Sequence, residues 1–134
     1  MVHRDLKLAN VFVRKGILKL ADFGFAIHSE KCQEKFDYNV GSPYYMPPEA
    51  LKFNRYSFKS DVWSFGIIAF EMVYGHLPWK EKIESILFDK ITNTHLDDLF
   101  EADVPLTDNY KHFIRACLQI DFDKRATPEY LIAY

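Results

Sequence analysis

The sequence predicts one α+β domain that is mostly α-helical, on three observations: a hairpin pattern near the start, a long turn-rich stretch after it, and helical periodicity through the remainder. Two apolar runs, Val11-Phe12-Val13 and Ile17-Leu18-Lys19-Leu20, are separated by Arg14-Lys15-Gly16, which reads as two short strands around a tight turn. Residues 22–48 are polar and carry Gly24, Gly41, Pro43, Pro47 and Pro48, the pattern of a long ordered or switchable loop, and loops of that length usually exist for function. From there the period is helical. Ser60 can cap a helix running through Val62, Phe65, Ile68, Ala69 and Met72, which Gly75 and Pro78 end. Trp63, Phe65, Ile68 and Met72 at this spacing are expected in the core, not around a cofactor. Further helices are predicted over Glu81–Ile91, Asp108–Leu118 and Pro128–Tyr134. No repeat or low-complexity tract divides the chain, so residues 1–134 read as one unit.

Composition narrows the function classes. With 49% hydrophobic and 16% aromatic residues, the chain can fill a core and is not a disordered segment. Seventeen basic and nineteen acidic residues give a net charge of -2, with no basic run, which excludes the electrostatic footprint of a nucleic-acid binder. The most apolar stretch, Val62 to Tyr74, is interrupted by Ser64 and Glu71 and falls short of the ~20 residues of a membrane span. No apolar leader follows Met1. Cys32 and Cys117 have neither CxxC nor His-pair spacing, so free thiols in a reducing compartment are expected, hence an intracellular setting, cytoplasmic or nuclear. The scattered histidines suggest no metal site.

The chemistry-bearing letters lie in the first fifty residues. His3-Arg4-Asp5-Leu6-Lys7-Leu8-Ala9-Asn10 matches H-R-D-L-x-x-x-N at all five specified positions, and twelve residues after Asn10 comes Asp22-Phe23-Gly24. Pro47-Pro48-Glu49 stands where an A-P-E would follow. Asp61-Val62-Trp63-Ser64-Phe65-Gly66 and the region around Arg125 come later in the same order. On these residues the chain resembles the carboxy-terminal lobe of a eukaryotic protein kinase of the serine/threonine type, over nearly its whole length. The resemblance implies a lobe with a small β-hairpin, an activation segment and a helical bundle around a central buried helix.

Phosphoryl transfer needs oxygen ligands for Mg²⁺ and a carboxylate beside the nucleophile, because catalysis of a highly charged group is mostly positioning and electrostatic stabilisation. Asn10 and Asp22 offer hard oxygens for Mg²⁺ and with it ATP. Asp5 suits the catalytic base, and Lys7 would offset charge on the phosphoryl group. By resemblance, Lys7 and the run Gly41-Ser42-Pro43-Tyr44-Tyr45-Met46 match the serine/threonine form, and the Ser42 hydroxyl would couple the substrate loop to Asp5 and Lys7. Phe12 falls where the family has an apolar floor under adenine. As a bare residue it reads equally well as an inward position of the hairpin.

Other residues carry two readings. Arg4 is a solvated arginine, or by resemblance the partner of a phosphate on the activation segment. Related kinases often have Thr three residues before Gly41, where this chain has Tyr38, and Ser29 is the other hydroxyl nearby. Asp61 is a helix cap, or a brace for the backbone around His3. Glu49 and Arg125 are surface charges, or a buried salt bridge that fixes the segment. Leu8, Ser42 and Pro47 depart from the commoner Pro, Thr and Ala without removing a catalytic group.

The five glycines, at 16, 24, 41, 66 and 75, are too far apart for a G-x-G-x-x-G or Walker loop within these residues. The resemblance therefore implies that the amino-terminal lobe is absent and required in cis, that the helix before the catalytic loop is absent too, leaving a flank of the central helix uncovered, and that the chain alone is inactive. Three functions follow: part of a kinase acting on protein substrates with ATP and Mg²⁺, a catalytically inactive kinase-like binding module, or a small-molecule phosphotransferase. The complete set Asp5, Lys7, Asn10 and Asp22 favours the first.

Overall fold

Lys15 and Gly16 both take positive φ, 52° and 75°, which matches the right-handed twist of a two-residue hairpin turn. The turn joins β1 (Val11–Arg14) to β2 (Ile17–Leu20) in antiparallel register, Val11 facing Leu20 and Arg14 facing Ile17. The computed structural model describes residues 1–28 and 39–134. Cys32, Ser29 and Tyr38 therefore lie outside the described residues. One isolated bridge, Val2 to Ile27, brings the start of the chain beside the segment following the hairpin.

Five α-helices follow: α1 (Pro48–Phe53), α2 (Phe58–Tyr74), α3 (Glu84–Asn93), α4 (Asp108–Cys117) and α5 (Pro128–Ala133). The sequence reading had no helix at α1. Its signals are Pro48 at the first position, where a fixed φ and a missing N–H cost nothing, and Asn54 in the left-handed conformation just past the end. The expected cap of α2 is also corrected. Ser57, not Ser60, is the capping residue, and Ser60 closes the box from three positions on, its hydroxyl accepting from Ser57 N at 2.9 Å. Gly75, at φ 73°, ends the helix as expected. Thr107 and Thr127 cap α4 and α5. Helix α3 begins three residues later than expected, and Glu81 instead pairs with Lys90 from outside it.

Helix α2 is the centre of the molecule. Trp63, Ile67 and Phe70 are buried with Leu87 and Ile91 of α3, Ile114 and Leu118 at α4, and Met46, Leu51, Tyr56 and Trp79. Trp63 stacks on Trp79 with centroids 5.7 Å apart. Gly66 is the point of closest approach to α4, where an added Cβ would stand 2.6 Å from Cys117 Cβ. Two expected core residues do not belong to the core: Phe65 is 45% and Met72 69% exposed. Periodicity marks the apolar positions of a helix, but only the neighbouring elements decide which are covered. No helix among the described residues is long and apolar enough to cross a membrane.

Candidate active site

The loop over residues 3–10, the catalytic loop by resemblance, is shaped from outside itself. Asp61, in the first turn of α2, accepts His3 N at 2.7 Å and Arg4 N at 3.0 Å, one on each carboxylate oxygen. Burial pushes its carboxyl above the ordinary 3.8, opposed by those two N–H groups. Of its two readings the brace is the observed one, since Ser57 does the capping. Arg4 takes φ 69° and Asp22 φ 61°, left-handed values that cost a non-glycine residue of order 1–3 kcal/mol each. Such a turn persists where neighbours over-determine it, and the paired bonds to Asp61 do so for Arg4.

His3 links two motifs. Its Nδ1 accepts from Asp5 N at 3.2 Å, so the proton resides on Nε2, which donates to Ala21 O at 3.0 Å. The imidazole ring also meets Phe23 edge-on at 4.9 Å. Thus the residue before Asp22 is tied to the residue that orients Asp5. Ala21 N also donates to Asn10 O at 2.9 Å, so Asp22 follows directly on the strand partner of Asn10.

Around Asp5, which is 5% exposed, a tight polar cluster forms. Asn10 Nδ2 donates to Asp5 O at 2.9 Å and approaches its carboxylate at 3.4 Å. Ser42 donates its hydroxyl to Asp5 Oδ1 at 3.1 Å while accepting from Lys7 Nζ at 2.9 Å. Lys7 Nζ lies 3.7 Å from the other carboxylate oxygen. Gly41, at φ 99°, lets the loop lie this close, for a Cβ there would stand 2.3 Å from Arg4 O. A carboxylate held between an ammonium and an amide, with a hydroxyl already donating to it, can orient an alcohol for attack.

For Mg²⁺, the donors fit in kind. Turning its amide nitrogen to Asp5 leaves the Asn10 oxygen, a hard ligand, on the other side of the group. Asp22 is exposed, with one oxygen accepting Gly24 N at 3.3 Å. Among the described residues no three His, Cys, Asp or Glu gather as a metal cage. Magnesium commonly takes one or two protein oxygens, with phosphates and water completing the shell.

The far end of the loop is fastened by Glu49 and Arg125, which form a two-pronged pair, Nη1–Oε1 2.5 Å and Nη2–Oε2 2.9 Å. Arg125 is 2% exposed, donates also to Gln119 O and Lys59 O, and lies over the Trp63 ring at 5.0 Å. Of their two readings, the buried bridge is the observed one. Phe12 is 55% exposed at the hairpin edge, which removes its reading as an inward residue. Arg4 Nε donates to Phe25 O at 2.5 Å, so the solvated reading of Arg4 does not hold either.

Sequence reasoning missed the anchor at Tyr45. Tyr45 donates to Glu71 Oε2 at 2.5 Å, and Ser64 Oγ donates to Tyr45 O at 2.7 Å. Burial, then Glu71, pushes the phenol above its ordinary value. The signal was there: Ser64 and Glu71 are the polar interruptions of the most apolar stretch, and both serve the loop.

Comparison with known proteins agrees with this geometry. The family model described as "Protein kinase domain" matches residues 1–134. The chain is similar to the probable serine/threonine-protein kinase mkcD of Dictyostelium discoideum, 38% identical over 136 residues, covering 100% of this chain and 21% of that protein. It is 35% identical to the serine/threonine-protein kinase pakA of the same organism, over 98% of this chain and 11% of that protein. With the serine/threonine-protein kinase ppk11 of Schizosaccharomyces pombe it shares 36% identity, over 97% of this chain and 41% of that protein. The chain thus spans from about a tenth to two fifths of the length of these relatives.

Proposed function

Because this chain belongs to the protein kinase domain family, we propose that the protein carrying it transfers the γ-phosphate of ATP to serine or threonine hydroxyls of protein substrates. The observation that carries this is the cluster of Asp5, Lys7, Asn10 and Ser42, all joined by contacts of 2.9 to 3.7 Å. Asp5 would accept the hydrogen bond of the substrate hydroxyl and aim its oxygen. Lys7, already bonded to Ser42, would sit beside the transferring group and offset its charge. Ser42 would report the seating of the substrate loop to both.

Asn10 and Asp22 would hold Mg²⁺, with which the family works on ATP. Bound there, the ion would supply charge neutralisation of the β- and γ-phosphate oxygens. Phe12 remains available as an apolar surface for adenine, supported by its exposure. No Gly-rich phosphate loop occurs within these 134 residues, so we propose that the nucleotide is gripped from above by an amino-terminal lobe in cis. The free buried thiol of Cys117 supports a reducing setting, the cytoplasm or nucleus.

The test is phosphate incorporation into a protein substrate by the protein that carries this chain. Asp5→Asn and Asp22→Ala should each reduce transfer by at least a thousandfold, in keeping with a lost base or metal ligand, at unchanged helical content. Near-normal transfer by either variant removes the role assigned to that residue.

A further inference from the structure

Tyr56 lies in the link between α1 and α2, 2% exposed, and its single hydroxyl serves both backbone groups of one residue. Val40 N donates to it at 2.7 Å, and it donates to Val40 O at 3.1 Å. Only a protonated phenol can accept and donate at once. Burial holds it in that form by raising its pKa, against smaller opposing effects of the Val40 bond and Arg4. The ring has a second use. Arg4 Cζ stands 5.1 Å from its centroid, within cation–π range, and the same guanidinium donates to Phe25 O just past Asp22-Phe23-Gly24.

Three successive residues of the substrate loop are thus held in three ways. Tyr56 holds Val40, the Arg4 carbonyl backs Gly41, and Asp5 with Lys7 holds Ser42. Neither of the last two contacts grips the main chain by its own hydrogen-bonding groups. The Tyr56 hydroxyl does so at Val40, and its ring also packs on Arg4.

We propose that Tyr56 is a positioning residue for the protein substrate, pinning Val40 so that Gly41 and Ser42 stay seated on the catalytic loop. The inference rests on the kinase reading above. It acts first on the loop that receives the substrate hydroxyl, because both hydrogen bonds of the Tyr56 hydroxyl go to Val40, two residues before Ser42. Tyr56→Phe isolates the effect: it deletes one oxygen, keeps the ring under Arg4, and leaves a part-buried N–H and C=O of Val40 without their partner.

In the protein that carries this chain, Tyr56→Phe should raise KM for a peptide substrate and lower kcat/KM for it by roughly tenfold, in keeping with two lost hydrogen bonds to part-buried groups. KM for ATP should stay within about twofold, since a merely structural defect would move both. The Val40 amide should exchange with deuterium about tenfold faster, read by NMR or by mass spectrometry of the loop peptide. Unchanged peptide KM, or an ATP KM that rises in step with it, overturns the proposal. Should the unsubstituted protein transfer no phosphate, the kinase reading fails by itself. Amide exchange then decides whether Tyr56 pins Val40, faster exchange upholding the clamp and unchanged exchange refuting it.

Discussion

Asp61 spends both carboxylate oxygens on the backbone of His3 and Arg4, yet it is drawn out of water to do so. The two effects oppose each other, and burial wins, since its pKa is raised. The folded protein therefore binds a proton at this group more readily than the unfolded chain. Its contribution to stability is highest at acidic pH, declines as pH rises from below 3.8 through the raised folded value, and then levels off. Asp61→Asn removes that slope and also leaves one backbone N–H facing an amide instead of a carboxylate. We expect the variant to be less stable by about 1–3 kcal/mol near neutrality. The gap from wild type should widen as pH falls toward 4, because the wild-type protein regains stability there and the variant does not. Thermal unfolding across acidic to neutral pH measures it, and a gap independent of pH would contradict the assignment. The candidates Asp5, Asn10 and Asp22 stood out in the letters, because the proposed phosphoryl transfer calls for particular oxygens at fixed spacing, and His3 came with them as part of the same motif. Tyr56 and Tyr45 did not, because each is defined by a contact 16 or 26 residues distant and a tyrosine carries no local signature of its partner.

Helix α2 and helix α4 meet through a glycine, so the separation of the two axes is set at one position. Alanine at Gly66 would gain about 1 kcal/mol of helix propensity. Its Cβ would also press on Leu118 Cδ2 at 2.9 Å and on Cys117 Cβ at 2.6 Å, the latter an atom next to backbone that cannot swing aside. Overpacking of this kind costs about 1–3 kcal/mol and occasionally more. With the Cβ contact so short, Gly66→Ala should lower stability by about 1–2 kcal/mol net, measured by urea unfolding with an unchanged slope. A neutral or stabilising result would mean that the helices can separate freely. The position of α2 was legible in its period and its terminal Gly75, but its first turn was read three residues late. Ser57 and Ser60 are both good capping residues, and only the closed box tells them apart. Helix α1 escaped for a different reason: six residues opening on consecutive prolines offer too few turns for a period. Phe65 and Met72 were misjudged because an apolar stripe does not say what lies against it.

Across the whole molecule, the loop from Ala21 to Glu49 is secured at both described ends. His3 and the Val2–Ile27 bridge hold the first, and Tyr56, Ser42, Tyr45 and the Glu49–Arg125 pair hold the last. Every one of these anchors comes from residues within the 134, so under the proposed function the half that receives the protein substrate would be built here. Under the same proposal, Asn10, Asp22 and Phe12 would not by themselves orient a triphosphate for in-line transfer. The purified 134-residue chain should therefore give no phosphate incorporation above background with ATP, Mg²⁺ and a generic protein substrate. Turnover comparable to a typical kinase would overturn the division of labour. The bonds from Asp61 to His3 and Arg4 also span 58 and 57 residues of chain. The left-handed kink at Arg4 lacks its paired bonds to Asp61 until the first turn of α2 exists, and closing so wide a span is slow compared with winding a helix. The timetable of maturation follows: a nascent molecule acquires its scaffold early and its working geometry last, so a newly refolded population would be helical before it could be competent.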